Sequence, residues 1–430
     1  MNLLLLGSGG REHALAWKLR RSPEVARLYA LPGSAAMAAV AEPLAGDPSD
    51  AAQVLAAVEA QTIGLTVVGP EAPLANGVSD ALAARGHAVF GPSRAAAQLE
   101  TSKIFAKQFM QRHAIPTAGY AACDTLADAE RALAACRFPV VIKADGLAAG
   151  KGVVIAGTAS EASATLAAMF AGDLVGAAGS RVVLEEFLEG EEVSLLALAD
   201  GERALALVPA QDHKRIFDGD RGPNTGGMGA VSVDTLLAAA LRQQIADTVL
   251  APTLRGMAAE GNPFRGVLYC GLMLTAQGPK VLEYNVRFGD PETQALMLRL
   301  EGDLAPALAG AAAGKIDARY LQWSEQPSAC VVLASEGYPG TVVNRREISG
   351  LSASGELADT ALAARGVQVF HAGTRREGGR WLTHGGRVLS LVARAASLAA
   401  ALDLCYAAAE QVTFPGCQLR HDIGARHRGR

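Results

Sequence analysis

The sequence predicts a multidomain chain of α/β and α+β class. A doubly wound parallel-sheet domain comes first, a central unit of antiparallel strands next, and a small α+β domain last. Three observations predict it. Short apolar runs alternate with amphipathic helical stretches over residues 1–102. Each of those runs ends in a turn rich in Gly or Pro. From about residue 139 onward, apolar strands flank Gly-rich loops in hairpin order.

In the first domain the strand candidates are 3–6, 27–30, 65–68 and 88–90. They run into Gly7-Ser8-Gly9-Gly10, Pro32-Gly33-Ser34, Gly69-Pro70-Glu71 and Gly91-Pro92-Ser93. Ligands of an open parallel sheet sit beyond the carboxyl ends of its strands, so four such turns make this a binding domain. A helix over about 95–113 leads to Ile115-Pro116-Thr117, where proline marks a boundary. The central unit is placed at 103–325, with strands 139–143, 153–156 and 181–187 inside a lid subdomain of about 121–189. Further strands follow at 193–198, 267–274 and 280–284, with a helix near 235–260. The last domain, 326–430, opens on a strand at 329–334 and closes on a helix near 395–411.

Composition narrows the function. The chain has 430 residues, and Lys+Arg 39 against Asp+Glu 43 leaves a net charge of -4. Such a balance predicts no nucleic-acid partner and suits an enzyme acting on small molecules. The basic stretch 420–430 reads as a solvated end. Six cysteines show no CxxC spacing, which argues against zinc and for free thiols in a reducing cytosol. Four leucines before Gly7 are too few for a signal peptide or a membrane span and read as a buried strand. A cytoplasmic protein without membrane partners is expected.

The turn Gly7-Ser8-Gly9-Gly10-Arg11-Glu12 follows a strand and opens a helix, where backbone N–H groups can meet a phosphate. A dinucleotide site is disfavoured. Glu12 stands where the third glycine of GxGxxG belongs, and the second strand ends in Leu31-Pro32-Gly33 rather than an acid. The plain alternative is a glycine turn needed for packing. Gly146-Leu147-Ala148-Ala149-Gly150-Lys151-Gly152 is one residue too short for a Walker loop and lacks its Ser/Thr. Flanked by strands, it reads as a hairpin folding over ATP phosphates, with Lys151 at its tip and Lys143 on the strand before it.

Val182-Val183-Leu184-Glu185-Glu186-Phe187-Leu188 runs from an apolar strand into acids. Its backbone can meet an adenine edge while Phe187 or Leu188 packs on the ring, and Glu192 can accept from ribose hydroxyls. For each glutamate a solvated strand end competes with that reading. Asp212-His213-Lys214-Arg215 precedes Gly222-Pro223-Asn224-Thr225-Gly226-Gly227-Met228-Gly229, whose glycines let main chain approach an anionic ligand. The densest signal is Glu283-Tyr284-Asn285-Val286-Arg287-Phe288-Gly289-Asp290-Pro291-Glu292. On a strand of period two, Glu283, Asn285 and Arg287 share a face. A carboxylate and an amide oxygen so spaced can ligate Mg²⁺, with Arg287 beside them for a carboxylate or phosphoryl group.

Together these segments resemble the phosphoribosylamine–glycine ligase family of the ATP-grasp superfamily. The resemblance rests on GSGGREHALAW at 7–17, VGPEAPL at 68–74, VIKADGLAAGKGV at 141–153 and EEFLEGEE at 185–192. It continues through QDHKR at 211–215, GPNTGGMGA at 222–230, RFGDPETQ at 287–294 and GGRVL at 385–389. The resemblance implies a central ATP-grasp fold and ATP-dependent joining of glycine to 5-phosphoribosylamine through glycyl phosphate. Carried over by motif, Glu283 and Asn285 would hold Mg²⁺ or Mn²⁺. Lys103, Lys143, Gly150, Lys151, Gly152, Glu185, Glu186, Leu188 and Glu192 would surround ATP. Arg287, Asp290, Glu292 and Lys214 would serve the chemistry. Gly9, Gly10, Arg11, Glu71, Asp212, Asn224, Thr225 and Gly226 would meet the other substrates. The expected partners are these small molecules alone, and a monomer is expected.

Overall fold

The structure, a computed structural model, describes residues 1–148 and 152–428. The sequence readings on Gly150 and Lys151 lie outside the described residues. The first sheet is parallel, in the order β3-β2-β1-β4-β5, built from β1 (Asn2–Gly7), β2 (Arg27–Pro32), β3 (Glu42–Pro43), β4 (Leu65–Val68) and β5 (Val89–Phe90). Leu3, Leu4, Leu5 and Leu6 are fully buried, as a central strand covered on both faces requires. β3 was not expected; two exposed residues, one of them proline, make an edge strand without hydrophobic pattern.

The helix expected over 95–113 is interrupted. A short turn, Gln98–Thr101, stops at extended Ser102, whose hydroxyl accepts from Phe105 N–H at 3.1 Å and starts a new helix, Lys103–Arg112. The lid sheet follows in the order β6-β9-β7-β8, all antiparallel: β6 (Tyr120–Cys123), β7 (Val140–Ala144), β8 (Val153–Ala156) and β9 (Val182–Glu186). Its inner face packs Ile142, Val182 and Leu184 against Leu166 and Met169 of the helix Ala159–Ala171.

The chain then forms β10 (Glu191–Asp200), β11 (Ala204–Ala206), and the short strands β12 (Gln211–Asp212), β13 (Arg215–Phe217), β14 (Arg221–Asn224) and β15 (Gly229–Ser232). The long hairpin β16 (Arg265–Thr275) and β17 (Gly278–Asn285) completes a sheet ordered β11-β10-β16-β17. The helix expected near 235–260 runs 239–259 with a π turn at Ala246–Leu250.

The last sheet, ordered β12-β15-β18-β22-β19, joins β18 (Ser328–Ala334), β19 (Gln368–His371) and β22 (Arg387–Arg394) to two strands from 211–232. A side ribbon, β20 (Thr374–Glu377) and β21 (Arg380–Thr383), lies apart. The Gly-rich loop is therefore stitched into the C-terminal sheet through β15, which pairs with β18. The basic C-terminal stretch is solvated only in part: His421, Arg426 and Arg428 are exposed, whereas Arg420 and His427 are buried. Arg420 is 1% exposed and bridges Asp220 and Asp422, and Asp422 accepts from Gly219 N–H, pinning the β13–β14 hairpin.

Two imidazoles close the contact between the first and last domains. His371 N–H, on β19, donates to His13 Nδ1 at 2.9 Å, and the rings lie 5.8 Å apart. Burial, and then the facing His371, pull His13 down to about 3; burial pulls His371 down to about 4. Both are neutral in the fold, whereas an unfolded chain binds protons there below pH 6.5. Stability is therefore intact above pH 6.5 and falls as pH drops toward 4. By linkage each group accounts for about 2 kcal/mol lost by pH 5. His13→Asn, which keeps an acceptor near the Nδ1 position, should flatten the loss of denaturant midpoint between pH 6.5 and 5. A slope as steep as in the parent chain would assign the acid sensitivity elsewhere.

Candidate active site

Two cavities, of about 610 and 590 Å³, meet where the first domain, the lid, the central sheet and the C-terminal sheet converge. Val153, Asp212, Lys214, Thr225 and Glu283 belong to both walls. The first cavity is lined by Arg11, Glu71, Lys103, Gly152, Gly226, Asn285, Arg287, Asp290 and Glu292. The second is lined by Lys143, Glu185, Glu186, Leu188, Glu192 and Asn224. Nearly every residue singled out in the sequence thus reaches one of the two walls. Gly9 and Gly10 do not.

The reason lies in Glu12. Its carboxylate turns back into the glycine turn, accepts from Gly9 N–H at 2.8 Å and pairs with Arg11. A Cβ at Gly9 or Gly69 would sit 2.8 or 2.4 Å from Glu12 carboxylate oxygens. The turn's donor is filled by the chain's own acid, which is the packing alternative. Its outcome is to hold Arg11 at the cavity wall, where Arg11 also donates to Phe288 O at 3.1 Å.

Glu283 sits at the junction. Lys214 lies 3.4 Å and Lys103 3.6 Å from its oxygens. Burial opposes its charge, but Lys214, Lys103 and Lys143 outweigh burial and hold the carboxyl well below the ordinary range. Burial likewise works against the Lys214 ammonium, and Glu192 and Glu283 reverse the effect. β17 ends at Asn285, so the period-two face reaches only Glu283 and Asn285 as strand. Alternation persists past the strand end, with Tyr284, Val286 and Phe288 buried, and keeps Arg287 on the same wall.

Arg287 lies 3.0 Å from Glu100 and 3.4 Å from Glu71, and donates to Asn285 Oδ1 at 3.3 Å. Burial raises Glu100, with Arg287 opposing; for Glu71, Arg287 and Arg11 overcome burial and lower it. Asp290 pairs with Arg387 at 3.3 Å and accepts from Gln294 at 2.8 Å. Arg387 also donates to Gly226 O and Asp290 O, tying the C-terminal sheet to both of these loops.

Behind these lie two further carboxyls. Glu292 accepts from Tyr269 at 2.9 Å and Ser194 at 3.1 Å. Burial first, and the adjacent Glu292 next, push Asp212 well above the carboxylate range, and its Oδ1 has no hydrogen-bond partner among the described residues. Gly227 makes room: at φ +111°, a Cβ there would lie 2.5 Å from Asp212 Oδ1.

Glu283 and Asn285 offer two hard oxygen donors on one wall, one of them kept ionised, which fits Mg²⁺ or Mn²⁺ with substrate oxygens completing the shell. No group of three or more His, Cys, Asp or Glu side chains forms a metal cage among the described residues. Sequence reasoning missed Glu100, Tyr269 and Arg387. Arg387 lay in the GGRVL motif and Glu100 in FGPSRAAAQLETSK at 90–103, whereas Tyr269 carries no local signal.

Residues 1–100 match the N domain of phosphoribosylglycinamide synthetase, residues 101–293 its ATP-grasp (A) domain, and residues 328–426 its C domain. The chain is 50% identical to the phosphoribosylamine–glycine ligase of Caulobacter vibrioides, over 99% of this chain and 98% of that one. It is 48% identical to that of Pseudomonas aeruginosa, with both chains covered in full (100% and 100%). The crystal structure of the Thermotoga maritima phosphoribosylamine–glycine ligase is similar at a TM-score of 0.86 and 32% identity, covering 98% of this chain and 100% of that one.

Arg287→Met strips Glu71 and Glu100 of their shared cation. By analogy with other broken buried pairs it should cost about 3 kcal/mol in urea unfolding. Adding Glu100→Gln should recover part of that loss. A single variant as stable as the parent chain would show that Arg287 does not compensate these acids.

Proposed function

The chain belongs to the phosphoribosylglycinamide synthetase family, and from that premise we propose that it joins glycine to 5-phosphoribosylamine at the expense of ATP. The products are glycinamide ribonucleotide, ADP and phosphate, a step of de novo purine synthesis. The observation that carries this reading is the meeting of two cavities at Glu283, Lys214 and Asp212. One takes the nucleotide, the other the glycine and the phosphoribosyl amine, and the phosphoryl group moves at the junction.

On the nucleotide side, the backbone at Glu186–Leu188 faces the adenine, Leu188 packs on it, and Glu192 accepts from the ribose. Lys143, Gly146 and Gly152 cover the phosphates. Glu283 and Asn285 would hold Mg²⁺ or Mn²⁺, which when bound neutralises phosphate charge. Lys103, Lys214 and Arg287 add positive charge around the phosphoryl group. The glycine carboxylate attacks the γ-phosphorus, the bond to the β-phosphate oxygen breaks, and ADP leaves. The amine of phosphoribosylamine then attacks the acyl carbon of glycyl phosphate, and phosphate departs.

Arg11 and Glu71, beyond the strands of the first sheet, receive the phosphoribosyl group. Asn224, Thr225 and Gly226 supply main-chain and side-chain contacts to the substrates, and Asp290 fixes Arg387 across that loop. Asp212 and Glu292 form the acidic floor that meets the amino groups. Rate comes from positioning and charge neutralisation rather than from a protein nucleophile. We propose a cytoplasmic monomer; free cysteines among the described residues suit a reducing compartment.

ADP release should require glycine and phosphoribosylamine together, the labile amine being generated in situ. Equal release without glycine, or with any amino acid, would sink the substrate assignment. Glu283→Ala should raise the Mg²⁺ concentration needed for half-maximal rate, or abolish turnover, without unfolding the protein. Full activity at low Mg²⁺ would remove Glu283 from the metal site.

A further inference from the structure

Lys107 lines neither cavity, yet it is a lysine 2% exposed on the body side of the lid hinge. Its helix, Lys103–Arg112, belongs to the body, and its ammonium reaches Glu185 of lid strand β9 at 2.9 Å. It also donates to Thr117 Oγ1 at 2.8 Å, and that hydroxyl donates to Val281 O of β17 at 2.6 Å. The other Glu185 oxygen lies 3.0 Å from Lys143 of lid strand β7. Lys143 in turn donates to Leu282 O of β17 at 2.8 Å. The chain of contacts crosses between lid and body twice.

Charge arithmetic gives this chain a purpose. Two lysines flank one carboxylate, so the group carries one net positive charge in a place water hardly reaches. Glu185 is 3% exposed, and its Oε1 makes no hydrogen bond among the described residues although Lys143 is adjacent. Lys143 is thus held beside Glu185 by charge while its proton goes to a backbone carbonyl. Without Lys107, Glu185 would have Lys143 as its sole close cation and would consume that charge. Of the other charged neighbours, Glu186 is turned away toward Lys280 and the Gly119 amide, and Glu283, which also feels Lys143, has Lys103 and Lys214 closer at hand.

Burial pulls the Lys107 ammonium down to about 8, with Glu185 pulling the other way. A site needing only bulk would be served as well by a methionine, because buried ion pairs rarely stabilise a fold beyond an apolar replacement.

We propose that Lys107 is a positioning residue for the nucleotide: it neutralises Glu185 from behind and leaves Lys143 a full charge for the ATP phosphates. This rests on the reading of the second cavity as the ATP site. Lys107 touches no substrate, and Glu185 acts through Lys143 rather than on the nucleotide. The same contacts fix the lid strands to β17, so Lys143 is held in place beside Leu282.

The test compares the full-length parent enzyme with Lys107→Met and with the charge-neutral pair Lys107→Met/Glu185→Gln. KM for ATP and for glycine, kcat and the thermal midpoint are measured for each. Lys107→Met should raise KM for ATP about tenfold or more while KM for glycine stays within about twofold. The double variant, which frees Lys143 again, should show an ATP KM at least about threefold below that of the single variant. A folded Lys107→Met with the parent's ATP KM overturns the proposal, as does a double variant no better than the single. Should the single variant fail to fold, the double variant decides: an ATP KM more than about tenfold above the parent's overturns the proposal, and a smaller rise supports it. Glycine-dependent ADP release by the parent enzyme tests the ligase reading separately.

Discussion

Glu283 is a carboxylate that burial works to neutralise and that lysines from three separate segments keep ionised. Lys103 comes from the helix after the first domain, Lys214 from the turn between β12 and β13, and Lys143 from the lid. Each brings its own desolvation cost. Lys214 leans on Glu192, and Lys143 shares Glu185 with Lys107. The site is therefore an alternating lattice of charges in which no member is satisfied by a single neighbour. Such lattices seldom add net stability, and their concentration at one cavity junction is the signature of chemistry.

The topology is what lets these segments meet. β17 delivers Glu283 and Asn285 from the edge of the central sheet, and the chain leaving it carries Arg287 toward Glu71 and Glu100 of the first domain. β12 and β15 leave the central unit to become strands of the C-terminal sheet. The loop with Asn224, Thr225 and Gly226 is thereby held at both ends, and Arg387 of β22 closes over it. Pairing in one sheet thus couples the placement of the substrate loop to the folding of the last domain.

Much of this was legible in the sequence because it is local. Apolar runs identified β1, β4, β7 and β18, and the spacing of Glu283 and Asn285 put both on one face, where they line one cavity wall. What stayed hidden depended on partners far along the chain. Lys107 reads as an ordinary amphipathic-helix lysine until Glu185, 78 residues later, folds over it. Glu100 sits in a short helical turn, and its partners Val286 N–H and Arg287 are equally remote. The first glycine turn differs in the opposite sense. Its local signal was correct, but Glu12, three residues after Gly9, fills the Gly9 donor that the pattern offers to a ligand. Ser102 was overlooked because a cap within a helix-favouring stretch changes one backbone angle and no periodicity.

The C-terminal stretch shows why charge alone is a poor guide to exposure. Read as a run of basic residues, it belongs in water. In the fold, Arg420 is buried between Asp220 and Asp422, His421 faces Asp218, and Arg426 also pairs with Asp220. Asp218 and Asp220 belong to the turn between β13 and β14, and Arg420, Asp422 and Arg426 line the second cavity. The stretch is consumed by acids on the hairpin that follows Lys214. Because Gly424 N–H also donates to His213, the segment between Asp212 and Lys214 is held from its far side as well. The cation that neutralises Glu283 from the body is therefore set in place by the last residues of the chain. The wall of the second cavity thus draws residues from both the lid and the C-terminal stretch.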